Sequence, residues 1–156
     1  MRGNDEVIAL LGELLSNELT AINQYLLHAA TCERWGYLRL AEKLREESKG
    51  EGSHADLLIE RILFLEGTPN LQRYNTVHGG ATVKELLEAD LAMEYDAIAA
   101  LDAAIGKCRA LGDHATEDLL TRIVVAEQDD TQWIEAQLEL MRQLGEQTYL
   151  AQQLHG

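Results

Sequence analysis

Apolar residues recur every three or four positions along most of the 156-residue chain, which is the spacing of one buried face of an α-helix. Four long segments carry this pattern: from about residue 5 to 35, from the break at Gly36 to about 66, from just after Thr82 to near 112, and from about 113 to 144. A weaker pattern predicts a short tail helix from about 147 to 153. Pro69 is the only proline, so the sequence predicts an all-α protein with long helices.

Polar residues at the starts of two segments support these boundaries. Asn4 is placed to cap the first helix, and Asp5 and Glu6 follow it in the first turn, where acidic side chains are favoured. Thr82 and Glu85 have the spacing of a capping box at the start of the third helix. The first and third helices are therefore expected to begin at these residues.

The lengths of the connections predict the topology. Breaks of two or three residues at Gly36 and Gly112 require antiparallel hairpins, whereas the connection from 67 to 82 has sixteen residues. Sixteen extended residues span about 53 Å, and a thirty-residue helix is about 45 Å long. We therefore expect one domain over residues 1–156, a four-helix bundle in which one long crossover makes the second and third helices parallel.

Composition narrows the possible partners. Asp and Glu number 27 against 13 Lys and Arg, and the net charge of −14 disfavours nucleic acid and anionic membranes as partners. Cys32 and Cys108 are too few for a disulfide framework or a zinc cluster. The N-terminal residues lack the pattern of a signal peptide, and no apolar run is long enough to cross a membrane. We expect a soluble, cytoplasmic protein that binds cations.

Acidic residues interrupt the apolar face of every long helix. They are Glu18 in the first helix, Glu47 and Glu51 with His54 in the second, Glu94 in the third, and Glu127 with Asp130 in the fourth. Burial of one lone carboxylate costs several kcal/mol or forces it to take up a proton. Interruptions in all four helices therefore need a shared explanation.

The spacing of these residues predicts a metal site. Glu51 follows Glu18 by 33 residues, and Glu127 follows Glu94 by 33 residues, so the two hairpins match. Glu51 with His54, and Glu127 with Asp130, are three residues apart and lie on one helical face. In a bundle these side chains would converge at mid-height, where two divalent cations would balance four negative charges. Oxygen and imidazole ligands suit iron or manganese.

Longer segments of the chain are similar to bacterioferritins, and the similarity covers essentially the whole sequence. The segments are NELTAINQYLLHA at 17–29, HADLLIERILFLEGTPNLQ at 54–72, DLAMEYD at 90–96 and WIEAQLELMRQLGEQTYL at 133–150. The resemblance implies a ferritin-like four-helix bundle, a shell of twenty-four subunits, oxidation of Fe(II) at a di-iron centre within each subunit, and storage of ferric mineral in the cavity.

The resemblance also implies the roles of individual residues. The family's iron ligands match Glu18, Glu51, His54, Glu94 and Glu127, with Glu51 and Glu127 in the bridging positions. Asp130 stands where the family has histidine, so the second iron is expected to be bound through water, more weakly or not at all; of these outcomes we favour those in which Asp130 still serves the site. Tyr25, together with Trp35 and Trp133, matches aromatic positions that supply electrons near the centre; ordinary core packing is the alternative.

Gly52 is a second departure from the family. Bacterioferritins bind haem between two subunits through a methionine at this place, and glycine offers no ligand. Haem b is therefore expected only if a partner subunit supplies the methionine. The chain is expected to form a homo-oligomer, a 24-mer, or to assemble with a second bacterioferritin subunit, and a ferredoxin-like reductant is a further expected partner for iron release.

Other hypotheses remain open from the sequence. The chain could be a structural cage subunit whose centre is impaired by Asp130, a ferritin-like oxygenase or peroxidase, or a metal-free helical adaptor. The remaining histidines, His28, His78, His114 and His155, have no mutual ligand spacing and are expected at the surface or at interfaces. Glu46 and Glu47 either admit or nucleate iron or form part of a solvated run of charges.

Overall fold

Five helices make up the computed structural model, which describes residues 1–155. They are α1 Asp5–Trp35, α2 Leu38–Phe64, α3 Val83–Ala110, α4 His114–Leu144 and α5 Glu146–Ala151. All five helices predicted from the sequence are present. The largest differences are at the C-terminal ends of α2, α3 and α5, which each stop two residues before the predicted boundary. The all-α prediction is confirmed.

The predicted capping residues act at the starts of α1 and α3. The side chain of Asn4 accepts a hydrogen bond from the backbone N–H of Glu6 at 2.8 Å. Thr82 Oγ1 accepts from the N–H of Glu85 at 3.2 Å, and the Glu85 carboxylate in return accepts from the N–H of Ala81 at 2.6 Å. These contacts satisfy backbone donors that have no partner inside the helix.

The hairpins pack as predicted, with α1 against α2 and α3 against α4. Gly36 ends α1 with a φ of 92°, in the left-handed conformation that residues with a side chain disfavour. The helix-free connection from 65 to 82 runs beside α1, since Asn75 donates to Thr20 Oγ1 at 2.8 Å and the N–H of His78 donates to Gln24 Oε1 at 3.1 Å. The long crossover is therefore confirmed, and it leaves α2 and α3 parallel.

Two apolar cores fill the bundle, one towards each end. The first contains Leu11, Leu15, Leu58 and Leu120, and the second contains Tyr25, Leu44, Leu87, Ile134 and Met141. Acidic side chains lie between the two cores, at the middle of the four long helices. The fold therefore places its most polar interior residues at the point farthest from either end of the bundle.

The described helices include none with a stretch long and apolar enough to cross a lipid bilayer.

Candidate metal centre

Four glutamates, one from each long helix, form a buried layer between the two cores. Glu127 is 0% exposed, Glu94 1%, Glu51 2% and Glu18 3%. Each helix carries its glutamate on the face that is otherwise apolar, so packing of these faces brings the carboxylates together. Carboxylates this deeply buried need protons, hydrogen bonds or cations to compensate for lost hydration.

The first group of possible ligands consists of Glu18, Glu51, His54 and Glu127. Each offers one ligand atom, and these four atoms all lie within 4.8 Å of one another. Nδ1 of His54 is 3.0 Å from Glu127 Oε1, 3.6 Å from Glu51 Oε1 and 3.7 Å from Glu18 Oε2. A single cation could replace the proton of His54 at the centre of these atoms.

A second group consists of Glu51, Glu94, Glu127 and Asp130, whose ligand atoms also lie within 4.8 Å of one another. Glu51 and Glu127 belong to both groups. Two carboxylates shared in this way can bridge a pair of metal ions. The structure thus brings together all six residues that the sequence proposed as ligands, with the shared pair in the two places expected for bridges.

The two groups differ in chemistry. The first contains an imidazole, whereas the second consists of carboxylates alone. Carboxylate oxygens are hard ligands, and imidazole is a better ligand for Fe(II) than for harder cations. The Asp130 side of the centre is therefore expected to hold divalent iron less selectively than the His54 side.

Burial and crowding of the carboxylates change their proton affinities in the metal-free centre. Desolvation, followed by repulsion from neighbouring glutamates, raises the pKa of Glu51 well above its usual value and also raises that of Glu18. Desolvation and contact with Glu127 raise the pKa of Glu94 to about 12. Desolvation and the nearby Glu47 carboxylate raise the pKa of Asp130 to about 8. Without metal, several of these groups hold protons at neutral pH.

His54 and Glu127 form the ionised pair of the metal-free centre. Burial disfavours charge on both groups, but their mutual contact outweighs it. The hydrogen bond to Glu127 and the nearby Glu18 carboxylate raise the pKa of His54 to about 10. Hydrogen bonds from His54 and the neighbouring carboxyl groups lower the pKa of Glu127 to about 2. An imidazolium therefore supplies the positive charge that a metal would bring.

Unpartnered oxygen atoms support cation binding at this place. Among residues 1–155, each of the four glutamates has one buried carboxylate oxygen without a hydrogen-bond partner: Glu18 Oε2, Glu51 Oε1, Glu94 Oε2 and Glu127 Oε2. Buried acceptors without partners are uncommon in folded proteins and are costly. All four residues belong to the two groups of possible ligands, so their unpartnered oxygens fit a pair of divalent cations with oxygen ligands.

Tyr25 contacts the centre directly, whereas Trp35 does not. The phenol of Tyr25 is 0% exposed and donates a hydrogen bond to Glu94 Oε1 at 2.6 Å. Desolvation and the Glu94 and Asp90 carboxylates raise the pKa of this phenol well above its usual value. Trp35 is the last residue of α1, roughly 26 Å along the helix from Glu18 at 1.5 Å per residue. The expectation that Trp35 lies near the centre is wrong.

The sequence did not predict that Glu47 is buried beside the centre, and it did not identify Lys43 as a residue near the centre. Glu47 is buried, with 6% exposure, and is not part of a solvated run of charges. Its Oε1 atom accepts a hydrogen bond from Lys43 Nζ at 2.8 Å, and its proximity contributes to the raised pKa of Asp130. Lys43 also lies over the ring of Trp133, 5.1 Å from its centroid. The position of Glu47, four residues before Glu51 on the same face, was the available signal.

A second buried polar network lies beside the centre, and it corrects the expectation for His28. His28 is 0% exposed rather than on the surface. Its Nδ1 atom is 2.8 Å from Asp90 Oδ1, which also accepts from Gln24 Nε2 at 2.8 Å. Its Nε2 atom donates to the carbonyl of His78 at 2.6 Å. The spacing of four between Gln24 and His28 was the only sequence signal.

A cleft leads to the centre between α1, α3 and the crossover. Its volume is about 600 Å³, and its lining includes Glu18, Glu51 and Glu94 together with Asn17, Asn75 and Asp96. Polar and acidic residues therefore lie along a path from the surface to three of the proposed ligands. A hydrated cation could approach the centre by this path.

Position 52 does not fit the axial ligation of haem. Gly52 has no side chain, and a Cβ atom placed there would meet no atom within 4 Å in the subunit. Of the other possible sulfur ligands, Met93 lines the cleft beside α3 and Met141 is buried in the second apolar core. A haem ligand at this place would have to come from another chain.

Comparisons with known proteins agree with the fold. The ferritin-like domain family matches residues 8–144. The bacterioferritin of Mycobacterium leprae is 46% identical over 152 residues, which cover 97% of this chain and 96% of that protein. The bacterioferritin of Brucella melitensis is 45% identical over 149 residues, or 96% and 92% of the two chains. The bacterial ferritin of Synechocystis sp. is 41% identical over 155 residues, or 99% of each chain.

Proposed function

The chain belongs to the ferritin-like family and to its bacterioferritin branch, which makes it an iron-storage subunit, and we propose that its buried centre oxidises Fe(II) before storage. One observation carries the proposal. Two groups of four ligand atoms share Glu51 and Glu127, and four oxygens of the centre have no partner within the described part of the chain. A pair of bridged divalent ions would satisfy them all.

In the proposed reaction two Fe(II) ions are the substrate. Each gives up one electron, and the pair of electrons with two protons reduces dioxygen to hydrogen peroxide or hydrogen peroxide to water. Glu18 and His54 would hold one ion, Glu94 and Asp130 the other, and Glu51 and Glu127 would bridge them. The carboxylates favour the product because Fe(III) gains more from anionic oxygen ligands than Fe(II) does.

Residues of this chain would also manage the protons. In the metal-free centre Glu94 and Asp130 hold protons, Glu127 is ionised and His54 is positively charged. Binding of iron requires neutral imidazole and ionised carboxylates, so protons must leave as the ions enter. We infer that Tyr25, hydrogen-bonded to Glu94, orients that ligand or, in place of one of the two irons, gives one electron and its phenol proton to the oxidant.

Assembly and storage form the second part of the proposal. We infer a shell of twenty-four subunits in the cytoplasm, with ferric mineral in its cavity, formed by this chain alone or with a second bacterioferritin subunit. A ferredoxin-like protein is the proposed reductant for iron release. Size exclusion and electron microscopy of the purified protein test the shell directly. A monomer or a small oligomer without a cavity would favour the oxygenase or peroxidase alternative.

Stopped-flow absorbance of the purified, metal-free oligomer tests the oxidation. We expect a fast phase of Fe(II) oxidation that saturates near two irons per subunit and disappears in Glu127→Gln, which removes one bridging carboxylate. Crystals soaked anaerobically in Fe(II) should give two anomalous peaks between Glu51 and Glu127. Slow oxidation without saturation, together with no anomalous peak, would contradict the proposal.

A second candidate function rests on Asp130 and Gly52. A subunit with a weak second metal position and no haem ligand could serve as a structural cage component beside an active, haem-binding partner. Asp130→His separates the two candidates. If position 130 contacts metal, the variant should bind the second ion more tightly and oxidise iron faster; an unchanged rate would mean that position 130 does not act on the metal.

A further inference from the structure

A charged cluster adjoins the Asp130 side of the centre. It consists of Lys43, Glu47, Asp130 and Trp133, and we refer to it as the Lys43 cluster. Lys43 Nζ is 2.8 Å from Glu47 Oε1 and 5.1 Å from the centroid of the Trp133 ring. The side chain of Glu47 is 7% exposed and that of Lys43 is 35% exposed. The ion pair and the aromatic ring together fix the ammonium group beside the centre.

The negative charges around the centre outnumber the positive charges that two divalent ions would supply, and Lys43 adds one further positive charge. Glu47 and the five acidic ligands carry six negative charges when all are ionised, whereas two divalent ions supply four positive charges. The Lys43 ammonium supplies a fifth. On the other side of the centre His54 can become neutral as metal binds, but Lys43 stays positive. The Asp130 side therefore carries an extra acid and a permanent cation beside it.

Glu47 is the residue on which Lys43 acts most directly. It lies one helical turn before the proposed ligand Glu51 on the same buried face of α2, and a metal held by Asp130 could recruit it as an additional ligand. The ion pair with Lys43 competes with that contact because one carboxylate oxygen is already engaged at 2.8 Å. Removal of Lys43 would release Glu47 and would also remove a repulsive charge from the neighbourhood of the ion.

We propose that Lys43 is a positioning residue that weakens the second metal position by holding Glu47 away from the metal and by placing a fixed positive charge beside Asp130. This inference rests on the proposed di-metal centre. It makes the two positions unequal, with a firmly held ion on the His54 side and a readily exchanged ion on the Asp130 side. An ion that exchanges readily is suited to onward transfer into a store.

Anaerobic Co(II) titration of the metal-free oligomer, followed by visible absorption and calorimetry, tests the inference. Wild-type protein should bind two Co(II) per subunit in two steps of different affinity. Lys43→Met should tighten only the weaker step, by about five- to twentyfold, because one nearby positive charge is lost. Lys43→Arg keeps the charge and should keep both affinities. Lys49→Met, at an exposed lysine of the same helix, is the matched control and should change neither step.

The Lys43→Met substitution made in a Glu47→Gln variant tests whether Lys43 changes the metal affinity through Glu47. If Lys43 acts through Glu47, Lys43→Met should change the weaker affinity much less in Glu47→Gln than in the wild-type chain. Unchanged Co(II) affinities in Lys43→Met, with an intact oligomer and an unaltered melting temperature, would overturn the role of Lys43 while leaving the di-metal centre in place. A wild-type chain that binds no Co(II) would overturn the centre itself.

Discussion

Nδ1 of His54 on α2 lies 3.0 Å from Oε1 of Glu127 on α4, inside a bundle whose core is otherwise largely apolar. The same nitrogen has oxygens of Glu51 and Glu18 at 3.6 Å and 3.7 Å. The metal-free protein thus places a protonated imidazole at the point where three carboxylates converge. A proton and a metal ion compete for this position. Before metal binds, the proton on His54 balances part of the negative charge of the carboxylates and so stabilises the centre.

Removal of the His54 imidazole should destabilise the metal-free protein. His54→Ala leaves buried carboxylates without their positive partner, and we expect a loss of about 2 to 3 kcal/mol in the free energy of unfolding. Denaturant unfolding of the metal-free variant measures this loss. His114→Ala, at an exposed histidine, should change the stability by less than about 0.5 kcal/mol. Equal effects of the two substitutions would contradict the pairing of His54 with the carboxylates.

The stability of the metal-free protein should fall as pH rises from about 5 to 9. Asp130 has a pKa of about 8 in the folded protein against an ordinary value of 3.8, and His54 has about 10 against 6.5. Over this range the native state binds protons that the unfolded state has released, so raising the pH favours unfolding. Glu127 has the opposite dependence, but its pKa of about 2 places its loss of stability in acid. Thermal unfolding at pH 5.5, 7 and 8.5 measures the trend.

Metal affinity should rise with pH, whereas the stability of the metal-free protein should fall. Because bound protons must leave before the ligands coordinate, apparent Co(II) affinity should rise by at least about tenfold per pH unit between pH 6 and 8. Calorimetry in two buffers of different ionisation enthalpy should detect proton release. Glu127→Gln should lose most of this dependence together with tight binding. A pH-independent affinity would mean that the buried acids are already ionised in the metal-free protein.

The sequence predicted the parts of the centre that lie on single helices. Spacings of three and four identify Glu51 with His54 as one ligand pair, and the break lengths identify the hairpins and the crossover. The sequence could not predict which side chains meet across helices. His28 and Asp90 are far apart in the chain and meet only because α1 packs against α3. In the sequence nothing distinguishes Lys43 from an ordinary surface lysine. Only the folded bundle shows that α4 places Trp133 and Asp130 beside it.

Tyr25 should affect both the stability and the chemistry of the centre. Tyr25→Phe removes the donor that Glu94 Oε1 accepts at 2.6 Å and should cost about 1 to 3 kcal/mol. If Tyr25 supplies an electron during oxidation, a tyrosyl radical signal in freeze-quenched samples should disappear in this variant. Tyr95→Phe, at a tyrosine one residue from Glu94 that is 49% exposed, is the control. A radical signal that survives in Tyr25→Phe would assign electron donation to another residue.

The pairing of His28 with Asp90 should hold the crossover against α1. Nε2 of His28 must carry a proton because the carbonyl of His78 can only accept, and Nδ1 lies 2.8 Å from Asp90 Oδ1. Burial alone would lower the pKa of His28, but the Asp90 carboxylate and the His78 carbonyl raise it above the usual value. Asp90→Asn changes the acceptor that contacts both His28 and Gln24 in a buried network and should cost about 1 to 3 kcal/mol.

Hydrogen exchange locates the effect of that substitution. The amide of His78 donates to Gln24, which in turn donates to Asp90, so loosening of this network should speed exchange in the crossover around residues 75–80 before the helices are affected. Asp96→Asn, at an exposed residue of the same helix, should leave exchange unchanged. Because the crossover forms one wall of the cleft that leads to Glu18 and Glu51, Asp90→Asn should also alter the rate at which Co(II) reaches the centre. Unchanged exchange at 75–80 in Asp90→Asn would mean that other contacts, such as Asn75 with Thr20, hold the crossover.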